Sequence, residues 1–388
     1  MSSRNLTAIP SYVFWELDAR RRAARAAGAT LIDLGIGSPD QPMAPVITEA
    51  IRRAATDPTL SGYPHFSIPP AFAAAIVGSL DRRFDVSVDP TRELLALAGS
   101  KEGLAELMLS HLNEGDVALI PAIYYPVYAR APQLVGATPV CVPLLGDGRL
   151  DLDAIAPADL ARARVLVVNY PCNPTTTTVP LTEYERLVAF VRRHQVLLVS
   201  DLAYSELAFD GFAVPSVLQV PGAKDVAVEL HTCSKSFNMA GVRIAFVAGN
   251  AKALTVLDQY RANIGYGVSS LAQYAGAAAF TNYAEIVPPV VAEYRARRDA
   301  LVATFRAHGW PVSTPLATMY LWLNVPTGFG DWDWVDALMH GPGIVVTPGI
   351  AFGEAGRGHF RISLVQPPPV LAQAAALIAS VTSPAPVL

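Results

Sequence analysis

Seven short apolar segments alternate with helical patterns between about residues 70 and 280, and this alternation restricts the fold more than any other feature. The segments are Leu94–Leu97, Val117–Ile120, Val140–Leu144, Val165–Asn169, Val196–Ser200, Val226–His231 and Ile244–Ala248. Helical patterns such as Lys101–Asn113 and Leu181–His194 lie between them. Continuous apolar runs are typical of strands buried on both faces of a parallel sheet. The pattern therefore predicts a layered α/β domain with a mostly parallel, seven-stranded sheet.

The end of the chain has a different pattern. A long helical pattern over Glu285–His308 precedes strand candidates and one more helix, namely Tyr320–Val325, Ile344–Thr347, His359–Leu364 and a helix near Val370–Ser380. This order predicts a second, smaller α+β unit, and a chain of 388 residues is long enough for two domains. We interpret the three prolines at 367–369 as a rigid turn.

Charge and hydropathy exclude several classes of partner. Lysine and arginine total 29 against 33 acidic residues, a net charge of −4, which gives no reason to expect binding to nucleic acid or to an anionic membrane. The first eleven residues lack the basic stretch and apolar run of a signal peptide. Apolar stretches end well short of the roughly 20 residues that a membrane-spanning helix needs.

The cysteines and histidines predict neither a disulfide framework nor a metal site. Cys141, Cys172 and Cys233 are scattered, and the histidines form no cluster with metal-ligand spacing. Reduced thiols in the cytoplasm are the expected state.

Lys235 lies in the segment TCSKSFNMAGVR, residues 232–243. A lysine amine condenses with an aldehyde once desolvation or a neighbouring cation lowers its pKa. Arg243 can bind a phosphate with two parallel hydrogen bonds, and Thr232 and Ser234 can add hydroxyl donors. The segment therefore fits a lysine that forms a Schiff base with pyridoxal phosphate. The alternative is a surface lysine beside an arginine that forms a salt bridge.

Gly99, Ser100 and Lys101 follow one predicted strand and open the next helix. The free N–H groups and the positive dipole end of a helix N-terminus suit a phosphate, and Gly99 lets the backbone approach it closely. The alternative is an ordinary β–α turn with a serine cap.

Two further residues have positions that suit a pyridine ring. Asp201 directly follows the predicted strand Val196–Ser200, and ligands of α/β sheets bind beyond the carboxyl ends of strands. A carboxylate there can keep a pyridine nitrogen protonated, although a helix cap is the alternative. Tyr125 precedes Pro126 and can stack on the ring, although a core tyrosine is the alternative and Tyr124 is adjacent.

Six motifs occur in an order that resembles the class I/II aminotransferases, the fold-type I pyridoxal-phosphate enzymes. They are GSKEG at 99–103, Tyr125-Pro126, NYPCNP at 169–174, DLAY at 201–204, the Lys235 segment and Arg361. The resemblance extends from about Ile9 to about Val370. It implies that the N-terminal segment folds back onto the small unit, which gives a large cofactor-binding domain over residues 45–284 and a discontinuous small domain over residues 1–44 and 285–388.

The resemblance also implies the role of each motif residue. Catalysis depends on Lys235, Asp201 and Tyr204. The phosphate is held by Ser100, Lys101, Thr232, Ser234 and Arg243, with Lys101 contributing mainly its backbone N–H. Tyr125 stacks on the ring, while Asn173 and Tyr204 hydrogen-bond its 3-oxygen.

Substrate contacts follow from the same resemblance. Arg361 holds the substrate α-carboxylate with help from Asn173 and from the backbone near Gly37, and Tyr12 lies near the substrate. Tyr63 reaches across a homodimer interface to the phosphate of the other subunit.

These features together predict a pyridoxal-phosphate-dependent aminotransferase that moves an amino group from an amino acid to a 2-oxo acid by ping-pong kinetics. The loop GSKEG and the segment LGIGSPD, residues 34–40, resemble the LL-diaminopimelate, aspartate and alanine branch. We expect glutamate and 2-oxoglutarate as one substrate pair and a small or dicarboxylic amino acid as the other. Two alternatives share the motifs: a carbon–sulfur β-lyase, and a regulatory module that binds the cofactor without turnover.

Overall fold

The computed structural model of the protein describes residues 3–65 and 67–381. The α-helices in these ranges are α1 Arg4–Ala8, α2 Val13–Ala26, α3 Pro45–Thr56, α4 Pro70–Phe84, α5 Ser100–His111, α6 Val127–Leu134, α7 Pro157–Leu160, α8 Leu181–His194, α9 Ala251–Ile264, α10 Ser270–Thr281, α11 Tyr283–Ala307, α12 Asp331–His340 and α13 Pro368–Ser380. No helix in the described part of the chain is long and apolar enough to cross a lipid bilayer.

The strands in the same ranges are β1 Ile32–Asp33, β2 Leu94–Leu97, β3 Val117–Pro121, β4 Thr138–Val142, β5 Ala163–Val168, β6 Leu197–Asp201, β7 Ala227–Thr232, β8 Ala245–Gly249, β9 Tyr320–Asn324, β10 Ile344–Val345, β11 Thr347–Pro348 and β12 His359–Ser363. Short 3₁₀ turns occupy Pro58–Leu60, Leu152–Ala154, Val217–Gln219, Ala223–Asp225, Gly349–Phe352 and Glu354–Gly356.

Seven of the described strands form one sheet in the order β2-β8-β7-β6-β5-β3-β4. The pairs from β4 through β7 are parallel, and β8 runs antiparallel to both of its neighbours. The prediction of a mostly parallel α/β sheet is therefore confirmed. Its parallel strands end at a common edge, where their carboxyl ends can share a ligand.

Most predicted strands are correct to within two residues, and the edge strand β4 shows why boundaries shift. The predicted strand was Val140–Leu144, whereas the observed strand starts at Thr138, which pairs with Val117. Pro139 lies within it. Proline is tolerated there because β4 lies at the edge of the sheet, where one side of the backbone needs no partner.

The smaller unit has its own sheet and its own core. Strands β9, β11 and β12 form an antiparallel sheet, and β1 pairs in parallel with β10, so the N-terminal segment joins this unit. Its core contains Leu17 and Leu34 together with Trp334 and Phe360. The division at residues 45–284 stays a prediction, and the core of the smaller unit also includes Ala203, Tyr204, Leu207 and Phe209 from within that range. Residues 1–2 and 382–388 of the predicted small domain lie outside the described residues.

The interpretation of the three prolines as a rigid turn is wrong. Pro367 caps α13, and Pro368 and Pro369 form its first turn. Proline fits the first turn of a helix because the N–H that it lacks has no partner inside the helix there, and its fixed φ is already helical.

Candidate active site

A cavity of about 340 Å³ lies at the carboxyl edge of the large sheet, between the two units. Its walls come from the N-terminal segment, the large sheet and the sheet of the smaller unit, and they comprise Tyr12, Phe14, Ile36, Gly37, Ser100, Lys101, Leu104, Tyr125, Tyr128, Asn169, Asn173, Asp201, Ala203, Tyr204, Thr232, Ser234, Lys235, Ala240, Arg243, Tyr320 and Arg361.

The amine of Lys235 lies in this cavity just beyond β7. Its Nζ donates a hydrogen bond of 2.6 Å to the carbonyl oxygen of Gly37. Burial lowers the pKa of Lys235, and the positive charges of Arg361 and Arg243 act in the same direction. The amine therefore loses its proton more readily than an ordinary lysine, as a nucleophile or a general base requires.

Asp201 ends β6 and is buried in the cavity wall. The hydroxyl of Tyr128 donates to its Oδ2 over 2.6 Å, whereas Oδ1 has no partner among the described residues. Burial raises the pKa of Asp201 to about 6, and the bond from Tyr128 opposes that rise. A buried acceptor without a partner is costly, so Oδ1 is suited to a donor on a ligand.

A cradle for an anion forms where α5 begins. Gly99 precedes the helix with a φ of 111°, and a Cβ at this position would overlap the guanidinium of Arg243. The hydroxyls of Thr232 and Ser234 lie 3.0 Å apart on the same cavity wall. Helix N–H groups, two hydroxyls and an arginine form a suitable donor set for a phosphate.

Arg361 on β12 is almost fully buried and has a fixed orientation. Its Nη1 donates to Oδ1 of Asn173 and its Nη2 to the carbonyl oxygen of Gly35, each over 2.8 Å. Its guanidinium carbon lies 4.2 Å from the centre of the Tyr320 ring. A fixed, buried guanidinium suits a planar carboxylate.

All but two of the site residues predicted from the sequence line this cavity. Gly99 does not line it but precedes the lining residue Ser100. Tyr63 does not line it; its side chain is 79% exposed and its ring stacks on Tyr266 at 4.4 Å. Tyr125 lines the cavity and Tyr124 does not. The structure does not test the predicted roles of these residues.

The sequence interpretation assigned no role to Tyr128, Tyr320, Phe14 or Asn169, which also line the cavity. Tyr128 could have been found, because it lies only three residues after Tyr125, in the first turn of α6. Asn169 begins the motif NYPCNP; its side chain donates to the carbonyl oxygen of Asp201 and accepts from the backbone N–H of Asn173. Tyr320 lies in none of the six motifs, so no local pattern in the sequence indicated that it lines the cavity.

The donor set fits pyridoxal phosphate. The unpartnered Oδ1 of Asp201 can accept from a protonated pyridine nitrogen, and the cradle at Gly99 and Arg243 can hold the phosphate. Lys235 supplies the amine between them. The site is thus that of a pyridoxal-phosphate enzyme.

Comparison with known proteins gives the family. The family model for aminotransferase class I and II matches residues 29–378. The chain is 40% identical to an LL-diaminopimelate aminotransferase of Gloeobacter violaceus over 94% of each chain. BacF from Bacillus subtilis has a similar structure, with a TM-score of 0.95, 32% identity and coverage of 99% of each chain. The structure of a probable N-succinyldiaminopimelate aminotransferase from Thermus thermophilus is also similar, with a TM-score of 0.89 and 35% identity. The match covers 95% of this chain and 99% of the Thermus chain.

The chain therefore belongs to the class I and II aminotransferases and is a pyridoxal-phosphate-dependent transaminase. The relatives are aminotransferases, so the lyase and regulator alternatives are not favoured.

Proposed function

We propose that the protein transfers the amino group of a dicarboxylic L-amino acid to a 2-oxo acid, with glutamate and 2-oxoglutarate as one substrate pair. The observation that carries this proposal is the ammonium of Lys101, a cation in the cavity besides Arg361 and besides Lys235 and Arg243, which are assigned to the cofactor. The ammonium of Lys101 lies over the ring of Tyr12, 4.9 Å from its centre and 3.4 Å from its hydroxyl.

Bound pyridoxal phosphate supplies an aldehyde for the substrate amine and a pyridine ring that withdraws electrons from the α-carbon. With the cofactor bound, Lys235 would accept the α-proton of the substrate on its Nζ and would donate that proton to the cofactor carbon that carries the amino group. Its lowered pKa and its hydrogen bond to Gly37 keep the amine available and oriented.

Asp201 would keep the ring nitrogen of the bound cofactor protonated through its Oδ1, while Tyr128 donates to the other carboxylate oxygen. Tyr125 would pack on the face of the bound ring, and Tyr204 and Asn173 would donate hydrogen bonds to its 3-oxygen. A preorganised charge of this kind needs no rearrangement during the reaction, which is why it lowers the barrier.

Arg361 binds the α-carboxylate. The backbone N–H of Lys101 is assigned to the phosphate, so its side-chain ammonium is left to bind a second carboxylate of the substrate. Lys101 is exposed, so its ion pair with a second carboxylate would contribute about 1 kcal/mol, which favours dicarboxylic over apolar substrates modestly. The substrate named for the Gloeobacter relative, LL-diaminopimelate, also carries two carboxylates. We therefore propose a donor of this type opposite 2-oxoglutarate.

A panel of amino donors tests this proposal. Steady-state assays would compare glutamate, aspartate, LL-diaminopimelate and alanine, each with 2-oxoglutarate or pyruvate as acceptor. We expect the three dicarboxylic donors to have the higher kcat/KM. If all four were inert while an aromatic donor or methionine reacted well, the substrate class would be wrong and only the aminotransferase would remain.

We also propose a homodimer with shared active sites. Tyr63 and Tyr266 expose 79% and 59% of their surface as a stacked pair outside the cavity, which suits burial against a second subunit. A two-fold dimer is the commonest oligomer. Sedimentation at working concentration would contradict the proposal if it found only an active monomer.

The cytoplasm is the proposed location. Cys141, Cys172 and Cys233 are free thiols, a state that a reducing compartment preserves. Recovery of the native protein from a secreted fraction would contradict this.

A further inference from the structure

Tyr320 contacts three groups of the site that come from three distant parts of the chain. It is the first residue of β9, and only 2% of its surface is exposed. Its hydroxyl lies 2.9 Å from the hydroxyl of Tyr204. It also fills the space beside Gly37, where a Cβ would overlap it. None of the roles proposed above involves this hydroxyl.

The ring and the hydroxyl of Tyr320 face different partners. Arg361 pairs with Trp322 across the sheet, and Tyr320 is two residues from Trp322, so ring and guanidinium share one face of the sheet. The guanidinium is closer to the ring of Tyr320, at 4.2 Å, than to that of Phe352, at 4.9 Å. The ring thus supports the carboxylate-binding arginine, while the hydroxyl contacts Tyr204.

We infer that Tyr320 is a positioning residue whose hydroxyl donates to Tyr204 and thereby strengthens the hydrogen bond from Tyr204 to the 3-oxygen of the cofactor. The inference rests on the proposed role of Tyr204. A hydroxyl has one proton, so a Tyr204 that donates to the cofactor can only accept from Tyr320. Consecutive hydrogen bonds polarise one another, so the first strengthens the second.

Several ionisable groups lie near Tyr320 and can contribute to the pH dependence of any property measured at this site. They are Tyr204, Arg361, Lys235, Tyr125 and Tyr294. The substitution Tyr320→Phe leaves all of them in place and keeps the ring, so it removes only the hydroxyl.

A double-mutant cycle on the cofactor-loaded enzyme tests the hydroxyl. The measured quantity is the pH midpoint, the pH at which the visible absorbance of the bound cofactor is halfway between the values of its protonated and deprotonated forms. A donor to the 3-oxygen stabilises its negative charge and favours the deprotonated form, so loss of the donor raises the midpoint. We expect a rise of roughly 1–2 pH units in Tyr204→Phe, from the loss of a hydrogen bond to a charged group. For Tyr320→Phe we expect a smaller rise of roughly 0.1–0.6 units, which is the cooperative part of that hydrogen bond.

The double variant separates the inference from the function on which it rests. If Tyr320 acts through Tyr204, the double variant has the midpoint of Tyr204→Phe alone. An unchanged midpoint in Tyr204→Phe would refute the proposed role of Tyr204. A shifted midpoint in Tyr204→Phe with no shift in Tyr320→Phe, or additive shifts in the double variant, would overturn the inference about Tyr320.

A second pair of variants tests the ring. Tyr320→Leu removes both ring and hydroxyl, so we expect a higher KM for the amino donor because Arg361 loses its support. Tyr320→Phe should retain the KM for the donor and change kcat. An equal rise in KM in both variants would mean that the hydroxyl, and not the ring, positions the arginine, and it would overturn this part of the inference.

Discussion

The amine of Lys235 donates its hydrogen bond to the carbonyl oxygen of Gly37, a residue 198 positions earlier in the chain. Gly37 follows β1, which pairs with β10 of the smaller unit, whereas Lys235 follows β7 of the large sheet. The reactive amine is therefore held between the two units. Displacement of one unit relative to the other would move the acceptor away from the amine.

Replacement of Lys235 by alanine should abolish covalent attachment of the cofactor. Turnover should fall by at least roughly 10²–10⁴-fold, the usual contribution of a general base. Borohydride reduction followed by peptide mapping identifies the lysine that carries the cofactor. Lys224→Ala is the matched control, since Lys224 forms an ion pair with Glu93. Cofactor attached to a lysine other than Lys235 would contradict the assignment.

Replacement of Asp201 by asparagine should keep the fold and lower kcat by roughly 10²–10³-fold, on the scale of a lost preorganised electrostatic contact. The substitution retains an acceptor for Tyr128 but removes the charge. Tyr128→Phe, which keeps the charge, should have a smaller effect. Stopped-flow measurement of the half-reaction would check both. Near-normal rates in Asp201→Asn would show that another group pairs with the ring nitrogen.

The buried Asp201 should also give the cofactor-free protein a pH-dependent stability. Burial raises the pKa of Asp201 from 3.8 to about 6, so the folded state holds this proton more tightly than the unfolded state. The contribution of Asp201 to stability is full below pH 4 and falls as the pH rises to about 6, by about 3 kcal/mol. Urea unfolding of the wild type and of Asp201→Asn between pH 4 and 8 would measure it. A constant difference between the two curves would contradict the raised pKa.

Loss of the charge on Lys101 should affect dicarboxylic amino donors more than donors with a single carboxylate. We expect Lys101→Met to raise the KM for a dicarboxylic donor by roughly fivefold, about 1 kcal/mol for a solvent-exposed ion pair, and to leave the KM for alanine unchanged. Lys252→Met removes a lysine on α9 and serves as the control for net charge. Equal effects on both donors would indicate that Lys101 does not bind the second carboxylate.

Introduction of a side chain at Gly99 should weaken cofactor binding. Its φ of 111° disfavours any other residue, and a Cβ would displace the guanidinium of Arg243. We expect Gly99→Ala to raise the dissociation constant of pyridoxal phosphate at least about tenfold, or about 1.4 kcal/mol. Gly146→Ala, where a Cβ meets nothing within 4 Å, should have no effect. Fluorescence titration would compare the two variants.

Local features of the sequence determined the elements and most of the site. The helix Leu181–His194 was predicted with its observed bounds, because its pattern is amphipathic and basic residues mark its last turn. The strands of the large sheet are continuously apolar because both of their faces are covered. The motifs around Ser100, Asp201 and Lys235 consist of adjacent residues, and it was their order, which resembles that of a known family, that favoured the cofactor interpretation over a helix cap or a surface lysine.

Only the tertiary structure decided how these groups are paired. Tyr128 and Asp201 are 73 positions apart, and Tyr204 and Tyr320 are 116 apart. Arg361 reaches the carbonyl oxygen of Gly35 across 326 positions. Such pairs depend on how the smaller unit packs against the edge of the large sheet, and no local periodicity encodes that arrangement. The sequence therefore determined which groups could do the chemistry, whereas packing between the units decided which partners orient them and adjust their pKa values.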